Sequence, residues 1–315
     1  MMNDDTMNDG TIPETAPHGF KTGFVNIIGR PNAGKSTLMN ALVGERMSII
    51  THKPQTTRHR IIGILTGEHF QIVFSDTPGY VKSPSYAMHK AMNRFVEGTV
   101  EDADLMLVVF DLTEELEADN PIVEMLAKTD VPKVLILNKK DLVAEQRSQD
   151  ATGWWKKRVK FDDVVTISAL HDFDANSLLE KILVYLPEGE PYYPVDQLTD
   201  RPERFFVSEI IREKILRLYE DEIPYACEVV IEDFKESQTN AGEAIARIRA
   251  NIFVMRETQK AIILGKGGAA IKKLGTYARK DIEAFLQTKA FLELTVKVRE
   301  NWRDDEKALQ KFGYV

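Results

Sequence analysis

The chain has 315 residues and a formal net charge of −8, with 43% hydrophobic and 29% charged residues. That balance excludes a wholly disordered, collagenous or membrane-spanning chain, and the length suggests about two domains. A single cysteine, Cys227, permits no internal disulfide and favours a reducing, cytosolic home.

Residues 1–20 carry Asp4, Asp5, Asp9 and Glu14 and no Lys or Arg, so a disordered acidic tail is predicted over 1–21. It has neither the basic nor the apolar region of a secretory signal. Short β-branched runs follow at 24–29, 60–65, 71–74, 105–110, 133–137 and 164–167. Helical patterns at 35–43, 87–100, 120–128 and 176–186 lie between most of them. Strands alternating with helices predict an α/β fold with a mainly parallel, doubly wound sheet, whose ligands bind beyond the strand carboxyl ends. Three prolines between Pro187 and Pro194 break the pattern. A linker is therefore expected at 188–202, dividing a front domain over 22–187 from a back domain over 203–315. The back part reads helix 203–219, strand 226–234, strand 244–254, short helix 259–264, helix 269–287 and strand 291–298, a small α+β module. Charge divides unevenly, −10 over residues 1–200 and +2 over 201–315. Residues 256–280 hold seven basic residues against one acidic, either a polyanion site or a solvated helix face.

Four motifs fall at predicted strand ends. Gly29-Arg30-Pro31-Asn32-Ala33-Gly34-Lys35-Ser36, followed by Thr37, fits G-x-x-x-x-G-K-[ST] between a strand and a helix. Its backbone N–H groups suit phosphate, Lys35 can reach the β- and γ-phosphates, and the Ser36 hydroxyl can hold Mg²⁺. In Asp76-Thr77-Pro78-Gly79 the carboxylate can hold a metal through water, and Gly79 can offer its N–H to a γ-phosphate. Alone, this could equally be an ordinary turn. In Asn138-Lys139-Lys140-Asp141, Asp141 can accept from both the ring N–H and the exocyclic amine of guanine, a donor pair that adenine lacks. Asn138 is expected at the base's other edge and the Lys139 stem over a ring face. Ser168-Ala169-Leu170 can offer backbone N–H groups to guanine O6. Each motif alone could be a loop; their order along the chain is the signal.

That order resembles the P-loop GTPases over about 24–187. The resemblance implies GTP and GDP as ligands, Mg²⁺ held by Ser36, Asp76 and a switch threonine, and hydrolysis to GDP and phosphate. The switch threonine is Thr57, with Thr56 as the alternative in Thr56-Thr57-Arg58. Many GTPases place a glutamine after D-x-x-G, but Tyr80 stands here, counted with the nucleotide-binding residues and unable to orient water. Asn32 beside a T-T-R switch resembles potassium-assisted GTPases, which implies K⁺ near the phosphates. The implied catalytic set is Asn32, Lys35, Thr57 and Gly79.

In the back part, Ile262-Ile263-Leu264-Gly265-Lys266-Gly267-Gly268 runs on to Ile271-Lys272-Lys273 and fits the I-x-G-x-x-G-x-x-I core of KH domains. A G-x-x-G loop lets an RNA backbone approach closely, and the flanking lysines can contact phosphates. Gly265, Lys266, Gly267, Gly268, Ile271, Lys272 and Lys273 are the expected RNA contacts. Ile262, Ile263 and Ile271 could floor the groove or form core, with core favoured. The element order resembles a type II KH domain. A GTPase domain followed by such a module is similar to the Era family of bacterial GTPases over about 22–315, as is the ending Lys311-Phe312-Gly313-Tyr314. The resemblance implies binding to the 3′ end of small-subunit (16S) rRNA and a role in 30S subunit assembly. It also implies peripheral association with the inner membrane. A monomeric, cytoplasmic protein is expected. The alternative is a GTP-regulated signalling protein whose back domain binds protein.

Overall fold

The computed structural model describes residues 19–117, 120–171, 173–238 and 242–314. Residues 1–18 of the predicted tail lie outside these, and Lys21 already opens the first strand. The front half runs β1 (Lys21–Gly29), α1 (Lys35–Val43), β2 (Ile61–Gly67), β3 (Phe70–Asp76), α2 (Ala87–Glu101), β4 (Leu105–Asp111), α3 (Pro121–Ala127), β5 (Lys133–Asn138), α4 (Glu145–Lys156), β6 (Asp163–Thr166) and α5 (Ala175–Tyr185). Its sheet has the order β2-β3-β1-β4-β5-β6, parallel except for β2 against β3. Helices cover both faces, so β4 and β5 are buried along their whole length and show no alternation.

Helix α4 has no apolar stripe to announce it. Only Ala151 and Trp155 are buried, and Trp155 anchors it edge-on to Phe110 at 5.7 Å between ring centroids. The segment after α5, residues 186–202, contains four prolines and forms no helix or strand; it lies along the sheet edge instead. Ile64 N donates to Leu198 O at 2.8 Å and Thr199 Oγ1 to Ile62 O at 2.7 Å, which covers edge strand β2.

The back half runs α6 (Glu203–Leu218), α7 (Ile223–Ala226), β7 (Glu228–Gln238), β8 (Ala244–Val254), α8 (Glu257–Leu264), α9 (Ala269–Leu286), β9 (Lys289–Val298) and α10 (Glu306–Lys311). Strand β7 begins two residues later than expected because Pro224 sits in the first turn of α7. Helix α10 is too short to show periodicity, but Asp305 caps it, accepting from Lys307 N and Ala308 N. The sheet β7-β8-β9 is antiparallel at β7–β8 and parallel at β8–β9.

The halves share packing. Phe206 of α6 enters the front core, while Val207, Ile211 and Ile215 of the same helix enter the back core. Met88, Ala91 and Met92 of α2 pack against Trp302, Leu309, Phe312 and Tyr314.

Candidate nucleotide site

A cavity of about 950 Å³ lies where the carboxyl ends of β1, β4, β5 and β6 meet the loop before β2, beside the reversal of strand order. Lys35 opens α1 from a buried position, and its Nζ donates to Arg30 O at 2.8 Å. Burial pushes its ammonium down to about 8 against the opposing pull of Asp76 and Glu114. The protein thus compensates this charge only in part, which suits an anionic ligand.

One corner gathers oxygens. Ser36 Oγ donates to Asp76 Oδ2 at 2.6 Å and lies 2.8 Å from Thr57 Oγ1, which is 3.3 Å from the same carboxylate oxygen. Asp76 Oδ1 is buried with no hydrogen-bond partner among the described residues. Burial pushes the Asp76 carboxyl upward, opposed first by Lys35. An orphaned carboxylate oxygen beside two hydroxyls is a donor set that fits a hard cation such as Mg²⁺. Thr56 turns away, with Oγ1 donating to Lys53 O at 2.6 Å and lying 2.7 Å from Thr51 Oγ1. The fold therefore brings Thr57 of the two threonines to this corner.

Gly79 lies so close to the phosphate loop that an added Cβ would sit 2.5 Å from Pro31 Cα. Only glycine lets the two loops touch. Its neighbours in the motif face elsewhere. Thr77 Oγ1 donates to Ile27 O at 2.9 Å, and neither it nor Pro78 lines the cavity. Tyr80, expected among the nucleotide contacts, lies outside the cavity because its hydroxyl donates to Glu97 Oε1 of α2 at 3.3 Å. Arg30 also faces away, ion-paired to Glu114 at 3.6 Å and Glu117 at 3.3 Å. Gly29 and Ala33 form the inner wall of the loop, and Asn32 projects from it with φ 63°, donating to His52 O at 3.0 Å.

At the far end, the Asn138 amide donates to Ala33 O at 2.9 Å and accepts from Ala169 N at 2.9 Å, which ties three loops together, and the residue lines the cavity with a second N–H. Lys139 lines the cavity with φ 64° and its Nζ pairs with Asp111. Lys140 is exposed in the 3₁₀ turn Lys140–Leu142, outside the cavity. Asp141 and Leu170 stand exposed at the rim over the buried Ser168 and Ala169, and the Ser168 hydroxyl above all pulls the Asp141 carboxyl below the usual range. Lining residues without a local sequence signal include Asp111 at the end of β4, Glu114 beyond it, and Leu216 and Arg217 from α6 of the back half.

Across the molecule, Gly265 ends α8 at φ 70°, and Gly267 and Gly268 follow at 59° and 79°. Lys266, Gly267, Lys272 and Lys273 are exposed around this turn. The isoleucines divide: Ile263 is core, Ile271 packs half-buried against it, and Ile262 is 49% exposed.

A family model described as a 50S ribosome-binding GTPase matches residues 24–139, and one described as a KH domain matches 222–303. GTPase Era of Syntrophus aciditrophicus is 44% identical over 296 residues, covering 94% of this chain and 95% of that one. Two solved structures, each 35% identical, superpose over 94% of this chain. A variant of Aquifex aeolicus Era bound to GDP·AlF4⁻ gives a TM-score of 0.87 over 100% of that chain. Era in complex with MgGDPNP and nucleotides 1506–1542 of 16S ribosomal RNA gives 0.88 over 99%. Likeness of this extent spans the cavity and the glycine turn together, and the chain belongs to the Era family of GTPases.

Proposed function

We propose that this chain binds GTP with Mg²⁺ in the front cavity, hydrolyses it, and grips the 3′ end of 16S rRNA through the back module during assembly of the 30S subunit. The observation that carries the reading is that Ser36 and Thr57, both hydrogen-bonded to the buried Asp76 carboxylate, line one cavity with buried Lys35 and with Asp141 at its far rim. In this reading residues 22–187 form the GTPase unit, 188–202 the linker and 203–315 the RNA-binding unit.

Backbone N–H groups of the phosphate loop and Lys35 Nζ bind the phosphates. Ser36, Thr57 and Asp76 hold Mg²⁺, which supplies positive charge to phosphoryl oxygens as negative charge develops on them. Gly79 N–H senses the γ-phosphate, and Asp141 accepts from the guanine N–H groups. Asn138 holds the base loop against the phosphate loop and offers its second amide N–H to the base's other edge, and guanine O6 falls to the remaining N–H groups of 168–170. The γ-phosphate orders Thr57 and Gly79, and its loss releases them and the placement of the back module.

Asn32, with its N–H donated to His52 O, keeps its amide oxygen for a K⁺ ion near the phosphates. Hydrolysis is expected to run faster in K⁺ than in Na⁺ at equal ionic strength. Equal turnover in the two salts counts against this role.

On the RNA side, Gly265, Lys266, Gly267 and Gly268 receive the backbone, Lys272 and Lys273 hold phosphates, and Ile271 borders the groove. Changing Lys266 and Gly267 together to Asp is expected to abolish RNA capture, because two anions replace a cation and an open backbone. At φ 59° an Asp in place of Gly267 strains the turn locally, but neither position lines the front cavity, so GTP binding should survive. Crosslinking to cellular RNA with GTP or GDP loaded, followed by sequencing, measures this. Capture unchanged by the double substitution would favour a back module that binds protein. The same reading makes the chain a monomeric cytoplasmic protein with peripheral contact to the inner membrane. Among the described residues no helix is long and apolar enough to cross a bilayer.

A further inference from the structure

Thr57 lies on a loop between α1 and β2, and the anchors on both of its flanks come from the back half. Before it, Arg212 of α6 is buried and donates to Gln55 O at 3.5 Å and to Thr56 O. Glu209, one turn earlier on α6, accepts from that guanidinium at 2.7 and 2.6 Å and fixes its direction. After it, the fully buried Arg58 side chain reaches out of the front half. It donates to Cys227 O at 2.7 Å, Pro224 O at 3.2 Å, Tyr225 O at 3.3 Å and Glu228 Oε2 at 3.2 Å. Tyr314 OH donates to the same Glu228 oxygen at 2.7 Å, and its ring lies 4.5 Å from that of His59. Further back along the loop, Lys53 Nζ donates to Tyr219 O at 2.6 Å.

A planar guanidinium with several oriented acceptors is held in direction as well as position. The cage around Arg58 is assembled by the turn at α7, the start of β7 and the chain terminus, none of which touches Thr57's own loop once the halves part. A buried cation that loses such acceptors must regain them from water, so parting the cage around Arg58 is costly.

We propose that Arg58 and Arg212 are positioning residues for GTP hydrolysis: they clamp the backbone on either side of Thr57 to the docked back half, and so place Thr57 Oγ1 at the metal corner. This rests on reading the cavity as a GTP site and names how the back half regulates it. Docking favours the Mg²⁺–GTP state, and by linkage that state favours docking to the same degree. GDP, which has no γ-phosphate for the switch to follow, is indifferent to it. An RNA that shifts the docking equilibrium therefore shifts hydrolysis in the same direction.

The test uses the full chain with Arg58→Ala and, separately, Arg212→Gln. Turnover, the Mg²⁺ concentration for half-maximal turnover, and the affinity for a fluorescent GDP are measured in parallel. The expected result is a fall in kcat of roughly 10- to 100-fold, as for a catalytic group misplaced by about an ångström. It comes with a raised Mg²⁺ requirement and a GDP affinity kept within about twofold. Wild-type turnover and Mg²⁺ dependence in both variants overturns the proposal. If Arg58→Ala also loses GDP, Arg212→Gln, which alters no front-half residue, decides by the same two outcomes. Parallel loss of GDP in both overturns it too, since the clamps would then serve the whole pocket. Failure of the GTP reading is distinguishable, because the unaltered chain would itself bind no guanine nucleotide.

Discussion

Lys35→Ala is expected to lower turnover of GTP by about 100- to 1,000-fold, the usual cost of removing a preorganised group aimed at developing charge. The side chain is buried and donates to a single carbonyl, Arg30 O, so its remaining N–H groups and its charge await the phosphates. The same residue sets a pH dependence. In the nucleotide-free chain burial holds the ammonium at about 8, and bound phosphates raise it. Between the free and bound values the complex holds one more proton than its components. Affinity for GTP therefore falls as pH rises above about 8, by up to about tenfold per unit, and is flat below it. Stability of the nucleotide-free chain runs the opposite way. The unfolded chain binds the extra proton between about 8 and 10.5, so stability rises with pH through that window. Titration calorimetry across this range reads the affinity slope, and Lys35→Ala should remove it. A variant with wild-type affinity and an unchanged slope would show that Lys35 does not meet the phosphates.

Asp141→Asn is expected to weaken GTP binding by about 100-fold or more, from two charge-assisted hydrogen bonds lost or reversed at roughly 1.5–3 kcal/mol each. The carboxyl is exposed at the rim and held low by Ser168, so it is ionised at neutral pH and free to accept. An amide in its place offers an N–H where guanine also offers one, and suits the 2-oxo group of xanthine. Binding should shift from GTP toward XTP with little change in fold stability, since exposed substitutions usually move stability by less than about 0.5 kcal/mol. Competition among GTP, XTP and ATP measures the shift. Nucleotide preference identical to that of the unaltered chain would mean that some other group reads the base.

The legible parts were those with contiguous signals. Apolar runs mark all six front strands, and the helix at 35–43 is bounded in the sequence by the phosphate loop before it and by Gly44 after it. Helix α4 carries no such signal because it packs by one tryptophan rather than a stripe, and α10 carries none because six residues span fewer than two turns. The isoleucines at 262, 263 and 271 could not be sorted by identity, since one helix turns Ile263 into the core and Ile262 outward. Tyr80 adjoins the D-x-x-G glycine in sequence, yet a carboxylate on α2 directs its hydroxyl elsewhere.

By itself the sequence determined where phosphate, metal and base chemistry could stand, because backbone N–H groups and a lysine on one loop act through residues adjacent in the chain. Tertiary structure alone decided what the side chains do once there. Asn138 spends its amide on a carbonyl 105 residues away, and Arg58 buries its charge among acceptors up to 170 residues on. A hydrogen bond's partner is set by distance and direction in space, and no spacing along the chain encodes either.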